Sequence, residues 1–173
     1  KKFWSHVKST SKSSRIPNTV NYHGRFRNNP KDQVEMFSEY FDEQFSVSSE
    51  YDIDIDYTND LVNDIDFSTS RVRKLLKDIN VGKTAGPDRI NGKVLKYCRE
   101  GIAYPLSCIF KISYNSGQIP PDWKLANVVP VHKKGPKTSV ENYRPISLTS
   151  LVMKVFEKLV RDELLSKCQE KLN

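Results

Sequence analysis

The 173-residue sequence predicts an α+β chain, mostly helical, with one short two-stranded hairpin. Two observations carry this. Apolar residues recur at three- and four-residue intervals in several separate segments, the period of an amphipathic helix. Two short extended runs flank a Gly-Pro-containing link, the pattern of a hairpin with a long loop. No internal repeat is visible, which sets aside a solenoid.

In chain order, Lys1 to Thr10 reads as a short helix with Phe3, Trp4 and Val7 on one side, and Ser9 to Arg15 as a Ser/Lys-rich linker. Pro17 to Asn29 carries Gly24 and an Asn-Asn-Pro turn. Asn29 then has the chemistry of an N-cap, with Pro30 at the first helical position. Val34, Phe37, Tyr40, Phe41 and Phe45 follow at helical spacing and predict about four turns whose aromatic stripe packs in a core. Ser46 to Asp66 is acidic and irregular. Asp52, Asp54 and Asp56 imitate the start of a calcium loop, but Tyr57 and Asn63 stand where such a loop needs Gly and Glu. Calcium is excluded, and the stretch reads as a disordered or surface-lying linker.

Ser68-Thr69-Ser70 supplies caps for a helix carrying Val72, Leu75, Leu76 and Ile79 and ending near Asn80. Gly82-Lys83-Thr84 imitates the end of a nucleotide P-loop, yet Lys77 occupies the place of that motif's first glycine, so the P-loop is excluded. The Gly86-Pro87-Asp88 turn starts another helix, with Val94, Leu95 and Cys98 inward. A further helix runs from Tyr104 to Tyr114, burying Leu106, Ile109, Phe110 and Ser113, and Asn115 to Gly117 stop it. Ile119 to Trp123 turn the chain into the hairpin, with Trp123 as a packing anchor. The first hairpin strand is built on Val128, Val129 and Val131 and ends in Lys133 and Lys134; the second is built on Tyr143, Ile146 and Leu148. Pro130 and Pro145 cannot donate ladder hydrogen bonds, so both strands are expected to be edge-like or bent. The last helix spans about Thr149 to Lys171, with Val152, Val155, Phe156, Leu159, Val160 and Leu164 on its apolar side and Lys154, Lys158, Arg161 and Lys167 mostly off it.

Charge is divided unevenly along the chain. Residues 1–70 hold 8 Lys/Arg against 12 Asp/Glu, net −4, whereas residues 71–173 hold 20 against 9, net +11. Such asymmetry points to an acidic linker joined to a polyanion-binding module. The chain is read as a linker or extension over 1–67, with one amphipathic helix and an acidic stretch, and a second part over 68–173. His132, Lys133, Lys134, Lys137 and Arg144 put a row of donors on the hairpin, a shape suited to gripping phosphates; the plain alternative is an edge hairpin whose lysines deter edge pairing. At 37% apolar and 28% charged residues, parts of the chain are expected to be loosely packed or to need absent partners. No apolar run reaches the roughly 18 residues of a membrane span. The three cysteines lack C-x-x-C spacing and fit a reduced intracellular compartment, as small apolar fillers. The three histidines are scattered, with no metal-ligand spacing.

Residues 126–135, ANVVPVHKKG, followed by residues 141–148, ENYRPISL, resemble the fingers of reverse transcriptases from non-LTR, LINE-type retrotransposons, jockey-like elements in particular. The resemblance extends to Gly82-Lys83-Thr84-Ala85-Gly86-Pro87-Asp88, to the Gly117, Pro120 and Trp123-Lys124 spacing, and to residues 152–165. It covers about Arg71 to Leu165 and is weaker over the first 50 residues. Family members usually carry Gly where this chain has Arg89. The resemblance implies the linker and fingers portion of a right-hand, palm–fingers–thumb polymerase, whose parent performs RNA-templated DNA synthesis on an RNA template and a DNA primer with deoxynucleoside triphosphates. It matches Arg144 to the arginine that contacts the incoming nucleotide's phosphates, a role suited to a planar guanidinium that never deprotonates. Lys133 and Lys134 match the basic strand end beside nucleotide or template; Lys83 and Lys137 are assigned to the template.

Template-directed nucleotidyl transfer uses two metal ions about 4 Å apart, held by oxygen ligands. In the resembled family, magnesium is held by an Asp early in the palm and by an aromatic-x-Asp-Asp box. This chain has no Asp-Asp dipeptide, and its acids before residue 67 precede the fingers. The expectation is therefore a fragment, starting without Met, that contains no catalytic residue and no metal ligand and is inactive by itself. The rival reading is a non-catalytic nucleic-acid-binding relic or domesticated module. A third is a helical protein-interaction domain using the Met36–Phe45 stripe. The resemblance implies an intracellular protein, nuclear and cytoplasmic in the parent.

Overall fold

The computed structural model describes residues 16–45 and 65–172. The helix expected over Lys1–Thr10, the false calcium loop and nearly all of the acidic stretch lie outside these residues. The described residues are α+β, about 55% of them helical, with two small sheets. It divides into two compact units, Lys1–Asp52 with Val128–Ile146, and Ile53–Asn127 with Ser147–Asn173.

The first unit begins with a hairpin that the sequence reading did not identify. Strands β1 (Val20–Tyr22) and β2 (Arg25–Arg27) pair antiparallel, with Val20 opposite Arg27 and Tyr22 opposite Arg25. The turn between them is His23-Gly24, with φ of 50° and 74°, the doubly left-handed geometry that matches strand twist. Three-residue strands flanked by arginines show no alternation long enough to detect. Helix α1 (Pro30–Gln44) starts where expected: the Asn29 side chain accepts from the Lys31 amide at 3.0 Å. Met36, Phe37 and Phe41 join Val20, Tyr22, Val140 and Tyr143 in a core, with Tyr40 at its edge. Val34 and Phe45 do not join it; each is 68% exposed, so only part of the expected stripe is core. Gln33 is buried instead. Its amide donates to the Asn18 carbonyl at 2.9 Å and lies 3.3 Å from those of Pro17 and Arg27, tying α1 to both sides of the hairpin. Tyr22 donates to Glu43, and that bond pushes its phenol up to about 12.

In the second unit, helix α2 (Thr69–Lys77) is capped by Ser68, whose hydroxyl accepts from the Arg71 amide at 3.3 Å. Helices α3 (Gly92–Tyr97) and α4 (Arg99–Ser116) meet at Cys98, which ends one and opens the other. The longer helix therefore starts five residues before the expected Tyr104 and runs through Pro105. Leu95 is buried, whereas Val94 and Cys98 are exposed; Phe110 and Ser113 are buried, whereas Ile109 is exposed. Gly117, with φ of 67°, ends α4 in a left-handed cap, and the Ser113 hydroxyl donates to the Gln118 carbonyl at 2.6 Å.

A 3-10 turn (Pro121–Lys124) leads into β3 (Ala126–His132), and β4 (Tyr143–Thr149) precedes helix α5 (Leu151–Leu172). Val152, Val155, Phe156 and Leu159 are buried with Phe67, Val72, Leu76, Leu95, Ala103 and Phe110. Trp123 anchors the corner, its rings 5.7 Å from Phe110 and 6.1 Å from Phe156. Leu164, placed on the apolar side by its spacing, is exposed. Cys98 and Cys168 are exposed and Cys108 half-buried, so the cysteines are not the buried fillers expected of small apolar side chains.

Gly86 binds two distant parts of this unit together. A Cβ there would lie 2.6 Å from the Ser150 amide nitrogen and the Thr149 carbonyl carbon. The loop 82–88 thus rests backbone-on-backbone against the start of α5. Buried Ser150 caps that helix, its hydroxyl accepting from the Val152 and Met153 amides at 3.1 and 3.3 Å.

Candidate functional site

In the first unit β3 and β4 pair in a two-stranded sheet, joined by a loop that begins at Lys133. The loop is stitched to itself at several points. The Lys133 amide donates to the Asn142 carbonyl at 2.8 Å, and the Asn142 side chain donates to the Pro136 carbonyl at 2.9 Å. His132 Nε2 lies 2.9 Å from the Gly135 carbonyl. Gly135 has φ of 78°, and a Cβ on it would strike the Asn142 amide at 2.8 Å. That turn needs glycine on both counts.

Two further bonds hold the loop to the unit's core. The Tyr143 hydroxyl donates to the Lys137 carbonyl at 2.8 Å, while its buried ring meets Phe37 edge-on at 5.0 Å. Burial pushes the Tyr143 phenol up, which keeps it in the protonated form that donates. The Asn21 amide donates to the Thr138 carbonyl at 2.6 Å. The outcome is a positioned loop.

The cations ride on this frame. Lys133, Lys134, Lys137 and Arg144 are exposed, and Arg144 follows the buried Tyr143 on β4, so alternation turns it away from the core. Among the described residues, Lys133, Lys134 and Arg144 make no ion pair. Glu141 is the one acid between Lys133 and Arg144, leaving a surplus of three positive charges over that stretch. The fold therefore brings four of the five sequence-selected residues onto one unit, while exposed Lys83 belongs to the other. Asn142 and Gly135 were missed as positioning residues. Their contact spans seven positions in a loop, and no periodic pattern marks it.

Exposed and unpaired cations on a fixed loop suit a ligand rich in phosphate oxygens, since each charge can form a charge-assisted hydrogen bond. Among the described residues no three His, Cys, Asp or Glu side chains converge in a way that could hold a metal ion. The donor set does not fit a magnesium centre, and no catalytic step is assigned to these residues.

The chain is similar over part of its length to RNA-directed DNA polymerases of Drosophila mobile elements, in agreement with the resemblance to jockey-like, non-LTR reverse transcriptases. The chain is 26% identical over 151 residues to the probable RNA-directed DNA polymerase from transposon BS of Drosophila melanogaster, covering 82% of this chain. It is 29% identical over 96 residues to the RNA-directed DNA polymerase from mobile element jockey, and 31% identical over 102 residues to the probable enzyme from transposon X-element, both of the same organism. These matches cover 55% and 58% of this chain. The aligned stretches span only 17%, 10% and 11% of the three relatives. No family model matches the chain.

Proposed function

We propose that this chain is the fingers-side segment of a right-hand, RNA-directed DNA polymerase from a retrotransposon, gripping template and incoming nucleotide. The observation that carries this reading is the basic hairpin: three cations unpaired among the described residues, fixed by Asn142 and Tyr143, in a sequence stretch similar to polymerases. Arg144 takes the triphosphate of the incoming deoxynucleotide through its planar fork. Lys133 and Lys134 form the basic strand end that lies beside that nucleotide and the template, and Lys137 and Lys83 hold the template backbone. The parent enzyme copies an RNA template from a DNA primer, with magnesium held by carboxylates elsewhere in its chain, and works in nucleus and cytoplasm.

Binding of single-stranded RNA by the 173-residue chain tests the gripping role. Each lysine or arginine that neutralises a phosphate releases condensed counterion, so affinity falls with salt by a slope of about 0.7 per contact. Lys133→Gln with Lys134→Gln is expected to flatten that slope by about 1.4. Salt-insensitive binding, or none, would remove the reading. A non-catalytic nucleic-acid-binding module would pass this test equally; nucleotide kinetics, taken up at the end of the Discussion, separate the two.

A further inference from the structure

A second basic surface lies wholly within the other unit. The end of α2 and the start of α5 enclose a cleft of about 180 Å³. Its floor is apolar, made by Leu75, Ile79, Leu151 and Val155, and its rim carries Lys83, Lys154 and Lys158 against the single acid Asp78. Among the described residues none of these three lysines forms an ion pair, although Asp78 lines the same cleft. Lys154 is half-buried as well as unpaired.

The arrangement costs stability in isolation. Lys154 sits in the first turn of α5, where no acid offsets it and where the helix dipole already presents positive charge. Lys158 adds a like charge one turn on, and like charges four residues apart repel. The Gly86 contact then holds the loop bearing Lys83 beside the same turn. Three cations converging over a low-dielectric floor focus a positive field outward. An anion offsets all three costs at once. The neighbouring cleft on α2 and α5 shares Lys158 and Asp78 with this one, and its other charges, Arg71 and Lys74 against Asp66 and Asp162, balance, so the surplus of positive charge lies on the Lys83 and Lys154 side.

We propose that the Lys83–Lys154–Lys158 cleft is a second phosphate-binding surface, taking the backbone of a single-stranded nucleic acid independently of the hairpin. It rests on the nucleic-acid reading above and adds Lys154 and Lys158 to it. Lys83 follows the exit of α2, and Lys154 and Lys158 stand one turn apart at the entry of α5, so the open cleft offers more than one cation to successive phosphates of a strand.

The test uses the full 173-residue chain and a fluorescein-labelled oligouridylate of about 16 nucleotides, with dissociation constants measured across a potassium chloride series. Lys154→Gln with Lys158→Gln is expected to flatten the salt slope by about 1.4 and weaken binding at every salt. Combining it with the Lys133, Lys134 pair is expected to give the sum of both losses, since independent sites add. Should Lys154→Gln lower the melting midpoint, Lys158→Gln alone, at an exposed position, replaces it, with an expected flattening of about 0.7. An unchanged slope in the cleft variant beside a flattened one in the hairpin variant overturns this proposal and leaves the proposed function standing. A wild-type chain that binds no oligonucleotide removes both. Two competitors complete the test. A deoxynucleoside triphosphate or polyglutamate that displaces the strand from wild type but not from the cleft variant would show that the cleft takes free nucleotide phosphate or any polyanion, and would equally overturn it.

Discussion

Gly86→Ala is the sharpest perturbation the fold offers. The added methyl would stand 2.6 Å from the Ser150 nitrogen and the Thr149 carbonyl carbon, and 2.8 Å from the Thr149 oxygen. All three are backbone atoms at the entry of α5, so no side-chain rotation relieves the clash. The loop must lift by the order of 1 Å, or the cap on α5 must yield. Overpacking a rigid contact costs about 1–3 kcal/mol, and backbone on both sides puts this case near 3 kcal/mol. For a unit of about 100 residues that lowers the melting midpoint by roughly 12–24 °C. Gly82→Ala is the control: its Cβ would meet only the Asn80 side-chain oxygen, at 3.2 Å, and yielding there costs at most the bond that oxygen accepts from the Gly82 amide at 2.9 Å, about 1 kcal/mol. Circular dichroism melts of the two variants read the difference. A Gly86→Ala chain melting within about 2 °C of wild type would refute the backbone-contact account, since surface changes stay within about 0.5 kcal/mol.

Other outcomes follow from single residues. Arg89 holds φ at 57°, a left-handed conformation that costs a side-chain-bearing residue about 1 kcal/mol or more, so Arg89→Gly is expected to stabilise by about 0.5–1 kcal/mol in urea melts. Ser150→Ala strips the buried cap from two amides and is expected to cost about 2 kcal/mol in the same assay. Asp66 accepts from the Ser68 amide at 2.8 Å and from its hydroxyl, which holds its carboxyl below the usual carboxylate range. Its contribution is therefore present above an ordinary carboxylate pKa and lost as pH falls through the depressed one. As pH falls below the ordinary carboxylate pKa of about 4, wild type should lose more stability than Asp66→Asn; parallel pH profiles would count against the bond.

Local chemistry made much of the fold legible. Asn29-Pro30 and Ser68 announced two helix starts, and the Gly-Pro link with Lys133 and Lys134 announced the hairpin. Trp123 was readable as a corner anchor because its neighbours Pro120 and Pro121 force a turn. What stayed hidden depended on distance or on choice between faces. Helical spacing could not say that Val34 and Phe45 face outward while polar Gln33 goes in, because the periodicity marks an apolar strip and not its partner. The usual glycine at position 89 in the resembled family acquires its reason in the structure, where Arg89 occupies left-handed backbone. Spacing placed Lys154 and Lys158 mostly off the apolar side of the last helix; only the Gly86 contact, 64 positions before Ser150, places Lys83 beside them.

Single-nucleotide incorporation by a polymerase whose chain contains this segment tests the central claim most directly. With Arg144→Ala the account predicts a loss of about 2–3 kcal/mol in kcat/KM for the incoming nucleotide, the scale of a charge-assisted contact, on an otherwise folded enzyme. Unchanged KM and kcat for nucleotide would contradict it and leave the hairpin a surface that holds nucleic acid without serving the reaction.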